Sequence, residues 1–397
     1  MNYKIIYFAF IGDKLDGVTQ KIIAQFDALS AVGADIYLFL VSSFTPGETL
    51  ALEIKKRSGV NILVNSHEKI RNPWYRRKEK FDLISSVLSG NSPKNTIVYF
   101  RYPLSDIIFL RFLKKNKVFT FVTEHQEIEN IFAKSISNGR FFRSTLELLW
   151  GKQVRKLIKG YVGVTEEITA FERTQVNNKH HYFKTIGNGV DMNKYPLRIP
   201  KKNIQNNEIR ILFVGSGYRH HGLARLINSI DMYYKNKNNA YKINVKVAGD
   251  SIEMNENKNL VKKLKLCSMV SFLGNLENVN LDEHFNWAQV GMASMGLHRV
   301  GLSKSSTLKT REYFARGLPF FWSSTDDDFP LNYPYILKFE SDDSAFDISE
   351  VISFIERISR DESYPQKMRQ YSIEHLSWSV KIKELITFFD EIIEAIH

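Results

Sequence analysis

The sequence predicts an α/β protein built as two doubly wound parallel-sheet domains facing a cleft. Three observations carry this. Strand-like and helix-like segments alternate along the chain. The alternation breaks once, near residue 190, and then restarts. The 397 residues suffice for two domains of about 150–200 residues with complete cores.

In the first half, residues 4–11 read as a buried strand halted by Gly12 and Asp13. Val18, Ile22, Ile23, Phe26, Leu29 and Val32 then form a helical stripe. Strands are expected at 34–42, 60–64, 95–100 and 118–123, with helical stretches at 81–88, 107–113 and 144–158 between them. Residues 160–164, a helix opening on the first-turn acids Glu166 and Glu167, and a strand at 181–186 close this half. The break holds Gly187, Gly189, Pro196, Pro200 and a polar run to Asn207. It sets domain limits of 1–198 and 199–378, with a terminal helix over 379–397 completing the first domain. In the second half, strands at 210–214, 243–248 and 270–273 each run into glycine, at Gly215, Gly249 and Gly274. Glycine there lets the backbone bend into the crevice where open parallel sheets bind ligands. Further strands are expected at 289–293 and 318–322, and helices at 222–234, 347–360 and 365–375.

The single cysteine, Cys267, excludes an internal disulfide and fits a reducing compartment; its apolar neighbours predict a core position. No apolar run reaches the roughly 18–20 residues of a spanning helix, and the apolar start lacks a cleavage site, so a cytoplasmic protein is expected. The net charge of +12 falls wholly in residues 1–200, which hold 30 Lys and Arg against 18 Asp and Glu; the remainder holds 25 of each. Such asymmetry predicts that the first domain meets an anionic surface or polymer. Trp74 and Tyr75 lie among Arg71, Arg76, Arg77, Lys78 and Lys80, and Phe141 and Phe142 lie between Arg140 and Arg143. No nucleic-acid-binding module accompanies them. Trp74, Arg76, Arg77 and Lys78 therefore read as a patch for an acceptor or an anionic membrane surface, the plain alternative being a solvated basic face.

The most informative stretch is 303–319. Ser305, Ser306 and Thr307 are helix N-cap types, Gly317 and Pro319 form a stop, and Leu308, Glu312 and Ala315 recur at helical spacing. The bare N–H groups of such an N-terminus suit an anion, although an ordinary capped surface helix has the same pattern. Glu312, one turn further on, is expected to face a neutral diol such as a ribose. Upstream, Gly215, Ser216 and Gly217 fit neither the dinucleotide fingerprint nor a phosphate loop ending in Lys-Ser/Thr. What remains is a glycine turn before Arg219, His220 and His221, candidate cations for a diphosphate. Asp326, Asp327 and Asp328 could hold a divalent metal but read as a solvated loop. Glu124 and His125 end a strand at the same crevice; His125 could move a proton there or serve as a satisfied structural histidine.

Taken in order, Gly17, His125, residues 188–191 (Asn-Gly-Val-Asp), Gly215, Gly249 with Asp250, Phe272 with Gly274, and Lys309 and Glu312 before Gly317 and Pro319 resemble the GT-B glycosyltransferases, and within them glycosyltransferase family 4. The resemblance implies two Rossmann-like domains and sugar transfer from a nucleotide-diphosphate donor with retention of anomeric configuration and without metal or other cofactor. It assigns donor binding to the second domain and acceptor binding to the first. Glu312 matches the ribose-binding glutamate, Leu308 and Lys309 the positions whose amides meet the diphosphate, and His125 the histidine near the donor sugar. Gly17, Gly215 and Gly217 would give the phosphates close backbone access, with Arg219 and His221 nearby. Two departures stand out: Lys304 occupies the position of a glutamate that contacts the transferred sugar, and Ser216 and His221 stand where the donor loop usually has Arg and Lys. The expected protein is a cytoplasmic, membrane-peripheral retaining glycosyltransferase that transfers a hexose-type sugar to a lipid-linked or polysaccharide acceptor in cell-surface glycan synthesis. The alternatives are a GT-B-like nucleotide-sugar epimerase and a catalytically silent sugar- or lipid-binding module.

Overall fold

The structure, a computed structural model, describes residues 2–65, 72–128, 140–176, 180–199, 207–236, 240–276 and 278–396. Arg71 of the basic stretch lies outside them, as do the side chains of residues 140–143. Chain contacts divide the protein into two units, Met1–Gly187 with Trp378–His397, and Asn188–Ser377.

The first unit is a seven-stranded sheet of β1 (Lys4–Phe10), β2 (Asp35–Ser42), β3 (Val60–Val64), β4 (Thr96–Arg101), β5 (Thr120–His125), β6 (Gly160–Gly163) and β7 (Tyr182–Thr185), in the order β3-β2-β1-β4-β5-β6-β7. Every pairing is parallel. Residues 5–9 of β1 are buried without interruption because both sheet faces are covered. Phe81, Phe100, Phe109 and Phe112 fill one side. On the other, the terminal helix Trp378–Glu394 lays Ile382, Leu385, Phe389 and Ile392 onto the sheet, with the Phe389 ring 5.3 Å from that of Tyr99.

The second unit holds β8 (Glu208–Val214), β9 (Lys242–Ala248), β10 (Val270–Gly274), β11 (Val290–Met292), β12 (Phe320–Trp322) and β13 (Ile336–Lys338), all parallel, in the order β10-β9-β8-β11-β12-β13. Strand order reverses between β1 and β4 in the first sheet and between β8 and β11 in the second. Such switch points open a crevice beyond the carboxyl ends of the strands.

Several boundaries differ from the expectations. The first division falls at Gly187 rather than 198, because residues 188–198 are fastened to the second unit. The Asn188 N–H donates to Ser306 Oγ at 2.7 Å, and Arg198 donates to the carbonyls of Gly317 (2.8 Å) and Ala288 (2.6 Å). The helix expected at 81–88 begins earlier and spans Pro73–Ser89, capped by the Asn72 side chain accepting from the Trp74 N–H. Helix Glu48–Lys55 and strand β13 were not anticipated. Cys267 is exposed, not in the core; Leu266 takes the buried place in that turn. Among the described residues, no helix is long and apolar enough to cross a membrane.

Candidate functional site

At the switch point of the second unit, β8 ends in Val214 and the chain turns through Gly215 and Gly217 at φ of 151° and 68°. These positive angles are open to glycine at little cost. The helix Leu308–Arg316 starts beside this turn, capped by Thr307 and stopped by Gly317 at φ of 74°. Its Tyr313 hydroxyl accepts from the Val214 N–H (3.1 Å) and donates to the Met292 carbonyl (3.1 Å), fixing the helix to the ends of β8 and β11. The amides of Leu308 and Lys309 have no hydrogen-bond partner among the described residues.

Lys309 turns its ammonium into the switch point. The Nζ lies 3.0 Å from where a Cβ on Gly215 would sit and 4.4 Å from the centre of the Phe213 ring. That nitrogen is buried without a hydrogen-bond partner among the described residues, although part of the side chain reaches solvent. Burial alone pulls its pKa down to about 7. Beside it, His221 presents a buried, unpartnered Nδ1. Burial, then Lys309 and His220, hold its pKa well below the usual histidine value. His221 is therefore neutral while no anion is bound. Arg219 is exposed, its side chain free to reach an anion.

Glu312, one turn along the helix from Lys309, is engaged by Arg316. Its Oε1 accepts from Arg316 Nε at 2.8 Å, and its side chain is 12% exposed. Burial, opposed by Arg316, raises its pKa. Lys304 donates to the Asp327 carboxylate, so the base found in place of an acid is itself paired. The loop 326–328 is not simply solvated. Arg311 binds both carboxylate oxygens of Asp326 and one of Asp328, and donates to Ser306 Oγ (2.8 Å) and the Asn188 carbonyl (2.8 Å).

Gly249 closes the turn from below. Its φ is 125°, and a Cβ there would meet the Gly215 carbonyl oxygen at 2.2 Å, so a side chain must push the Gly215 turn aside. Gly249→Ala is expected to cost about 1–3 kcal/mol of stability, in the range of local backbone strain. Gly274→Ala, with nothing within 4 Å of the new Cβ, should cost less. Equal thermal unfolding of the two variants would contradict this.

In the first unit, Gly17 is the first residue of helix Gly17–Ala31, and a Cβ there would meet nothing within 4 Å. The Asp16 carboxylate already caps this N-terminus, accepting from the Thr19 N–H at 2.8 Å. An anion would face that carboxylate, which counts against the expected phosphate contact. His125 is fully buried. Its Nε2 lies 2.9 Å from Thr123 Oγ1, its Nδ1 3.3 Å from Glu172 Oε1, and its ring 4.2 Å from that of Tyr102. With both nitrogens partnered, it has the surroundings expected of a structural histidine. Glu172 also binds Arg155, which reaches Glu147. The basic patch divides: Trp74, Arg76 and Arg77 line a cavity of about 560 Å³, whereas Lys78 points away and pairs with Asp82 at 2.8 Å. Lys80, beside them, was part of the basic run but not singled out.

Comparison with known proteins adds three findings. Residues 196–320 match the family described as Glycosyl transferases group 1. No curated protein is matched by sequence. Solved structures match over nearly the whole chain. Sucrose-phosphate synthase from Thermosynechococcus elongatus has a TM-score of 0.69 at 14% identity, covering 99% of this chain and 100% of its own. WaaG, a glycosyltransferase involved in lipopolysaccharide biosynthesis, has a TM-score of 0.63 at 12% identity, covering 95% and 98%. An S. aureus TarM mutant, in complex with fondaparinux, alpha-GlcNAc-glycerol and UDP, has a TM-score of 0.62 at 11% identity, covering 97% and 99%. The two parallel sheets and the family match agree: the chain has the GT-B fold of two Rossmann-like domains, its second unit carries a glycosyl transferases group 1 domain, and the protein is a glycosyltransferase.

Proposed function

We propose that the protein is a retaining glycosyltransferase of the family 4 type, moving a sugar from a nucleotide-diphosphate donor to a lipid-linked or polysaccharide acceptor. The observation that carries the donor assignment is the buried, unpartnered ammonium of Lys309 beside the Gly215 turn and the open amides of Leu308 and Lys309. An uncompensated buried cation is costly, and a diphosphate would supply the missing charge. The group 1 match covers this helix and turn, and the UDP held by the TarM complex supports a nucleotide donor. Retention, family 4 membership and independence from metal rest on the sequence resemblance.

In this reading the glycosyl–oxygen bond to the diphosphate breaks and the nucleoside diphosphate leaves with the electron pair. Lys309, the helix amides and Arg219 meet the charge that develops on it. The acceptor hydroxyl forms the new bond and gives its proton to the departing diphosphate oxygen. Glu312, with Oε1 engaged by Arg316, offers its other oxygen to the ribose hydroxyls. A surface-glycan acceptor and attachment to the inner face of a membrane are supported by the basic first half.

Incubation with a panel of nucleotide-diphosphate sugars tests the reading: transfer or slow donor hydrolysis is expected, whereas an epimerised donor would favour the epimerase alternative. Glu312→Gln should weaken nucleoside diphosphate binding about 10- to 100-fold, the worth of hydrogen bonds to a charged group. An unchanged Kd by calorimetry would remove the ribose role.

A further inference from the structure

The cavity of the first unit lies at that sheet's own switch point. Phe10, the last residue of β1, and Leu104, just past β4, are in its wall, with Leu146 and Trp74. Its volume of about 560 Å³ is that of a small-molecule pocket. Helix Pro73–Ser89 sorts its cations by face: Arg76, Arg77 and Lys80, three and four residues apart, turn inward, and Lys78 turns outward. Arg77 is neutralised by Asp106 and donates to the carbonyls of Pro103 (2.9 Å) and Leu104 (2.8 Å). Among the described residues, Arg76 and Lys80 have no carboxylate partner. The Lys80 Nζ lies 5.5 Å from the centre of the Phe10 ring. Burial, with Arg77 and Arg76 near, pulls its pKa down to about 8.

The wall is also held under strain. Leu104 adopts φ of 65°, an uncommon angle for a side chain of its kind. Arg77 fixes its carbonyl, and the next amide, that of Ser105, donates to Glu147 Oε2 at 2.6 Å. Phe10, Pro73, Trp74, Pro103 and Leu146 form the apolar part of the wall, and Ser43, Ser105 and the Arg77-paired Asp106 complete it.

We propose that this cavity binds a phosphate group carried on an apolar or ring-bearing molecule, with Arg76 and Lys80 meeting the phosphate and Trp74 and Leu146 the attached group. Resting on the glycosyl-transfer reading, that molecule is the acceptor, which narrows the acceptor to a phosphate-bearing one.

The test is titration of the whole protein with decyl phosphate below its micelle concentration, read by tryptophan fluorescence. Saturable quenching is expected, absent in Trp74→Phe. Lys80→Gln and Arg76→Gln should each weaken binding about tenfold, with melting temperature confirming folding, while Lys78→Gln leaves it unchanged. Inorganic phosphate that competes at millimolar concentration would assign the site to phosphate carried on a soluble molecule; failure to compete would assign it to a lipid. Equal weakening by Lys78→Gln and Lys80→Gln, or equal binding of uncharged decyl maltoside, would overturn the proposal. No nucleotide enters this titration, so its failure leaves the donor assignment standing.

Discussion

Replacing Lys309 by methionine is expected to make the ligand-free protein more stable and the enzyme nearly inactive. The ammonium is buried with no partner, so its charge costs folding free energy until an anion arrives. The sign follows from the lowered pKa of about 7. Between that value and the ordinary 10.5 the unfolded chain holds more protons than the folded one, so stability rises with pH across this window. The cost is fully present below pH 7 and gone above 10.5. Lys309→Met should flatten that rise, raise the melting temperature at pH 7, and abolish the stabilisation by nucleoside diphosphates. Loss of one preorganised cation should lower kcat about 10²- to 10³-fold. In the unaltered protein, diphosphate binding at pH 8 should take up a proton, measurable by calorimetry in two buffers of different ionisation enthalpy. Binding without proton uptake would mean that the ammonium does not meet the diphosphate.

Arg311→Met should be the most destabilising single change in the second unit. It would strand the buried carboxylate of Asp326 and leave Asp328 and the Asn188 carbonyl without their donor. Breaking a buried pair from one side costs about 3–5 kcal/mol. For a unit of this size that is a fall in melting temperature on the order of 10 °C. Adding Asp326→Asn should recover part of it, because the second change removes the stranded charge. A loss below about 1 kcal/mol for the single variant would show that the cluster contributes little.

The legible parts of the fold are those whose cause is local. Residues 5–9 declared a buried strand because both faces of that strand are covered, and Thr307 and Gly317 marked the ends of the 308–316 helix through capping and a left-handed turn. Helix Pro73–Ser89 was half hidden because only its second half carries a buried stripe, Phe81, Ile84 and Leu88. Helix Glu48–Lys55 buries a single residue, Leu50, and so left almost no periodic signal. In the donor region, the helix that carries Lys309 and Glu312 was legible from its caps. The neutral state of His221 was not, since Lys309, which helps to keep it neutral, lies far along the chain. For the same reason Asp326 passed for a loop acid: its partner Arg311 belongs to a helix that the local pattern does not connect to it. The strand-end position of His125 left a structural and a proton-moving role open, and its partners Thr123 and Glu172, the second far along the chain, were not visible locally.

The split composition of the first unit has a consequence for how the protein is made. The helix Trp378–Glu394 that covers one face of the first sheet leaves the ribosome only after the whole of the second unit. During synthesis the second unit, closed at Ser377, has its whole sequence before the first does. Until residues 378–394 emerge, the face that will receive Ile382, Leu385, Phe389 and Ile392 stays bare, so the first sheet begins before the second unit yet is completed after it and needs shielding in the interval.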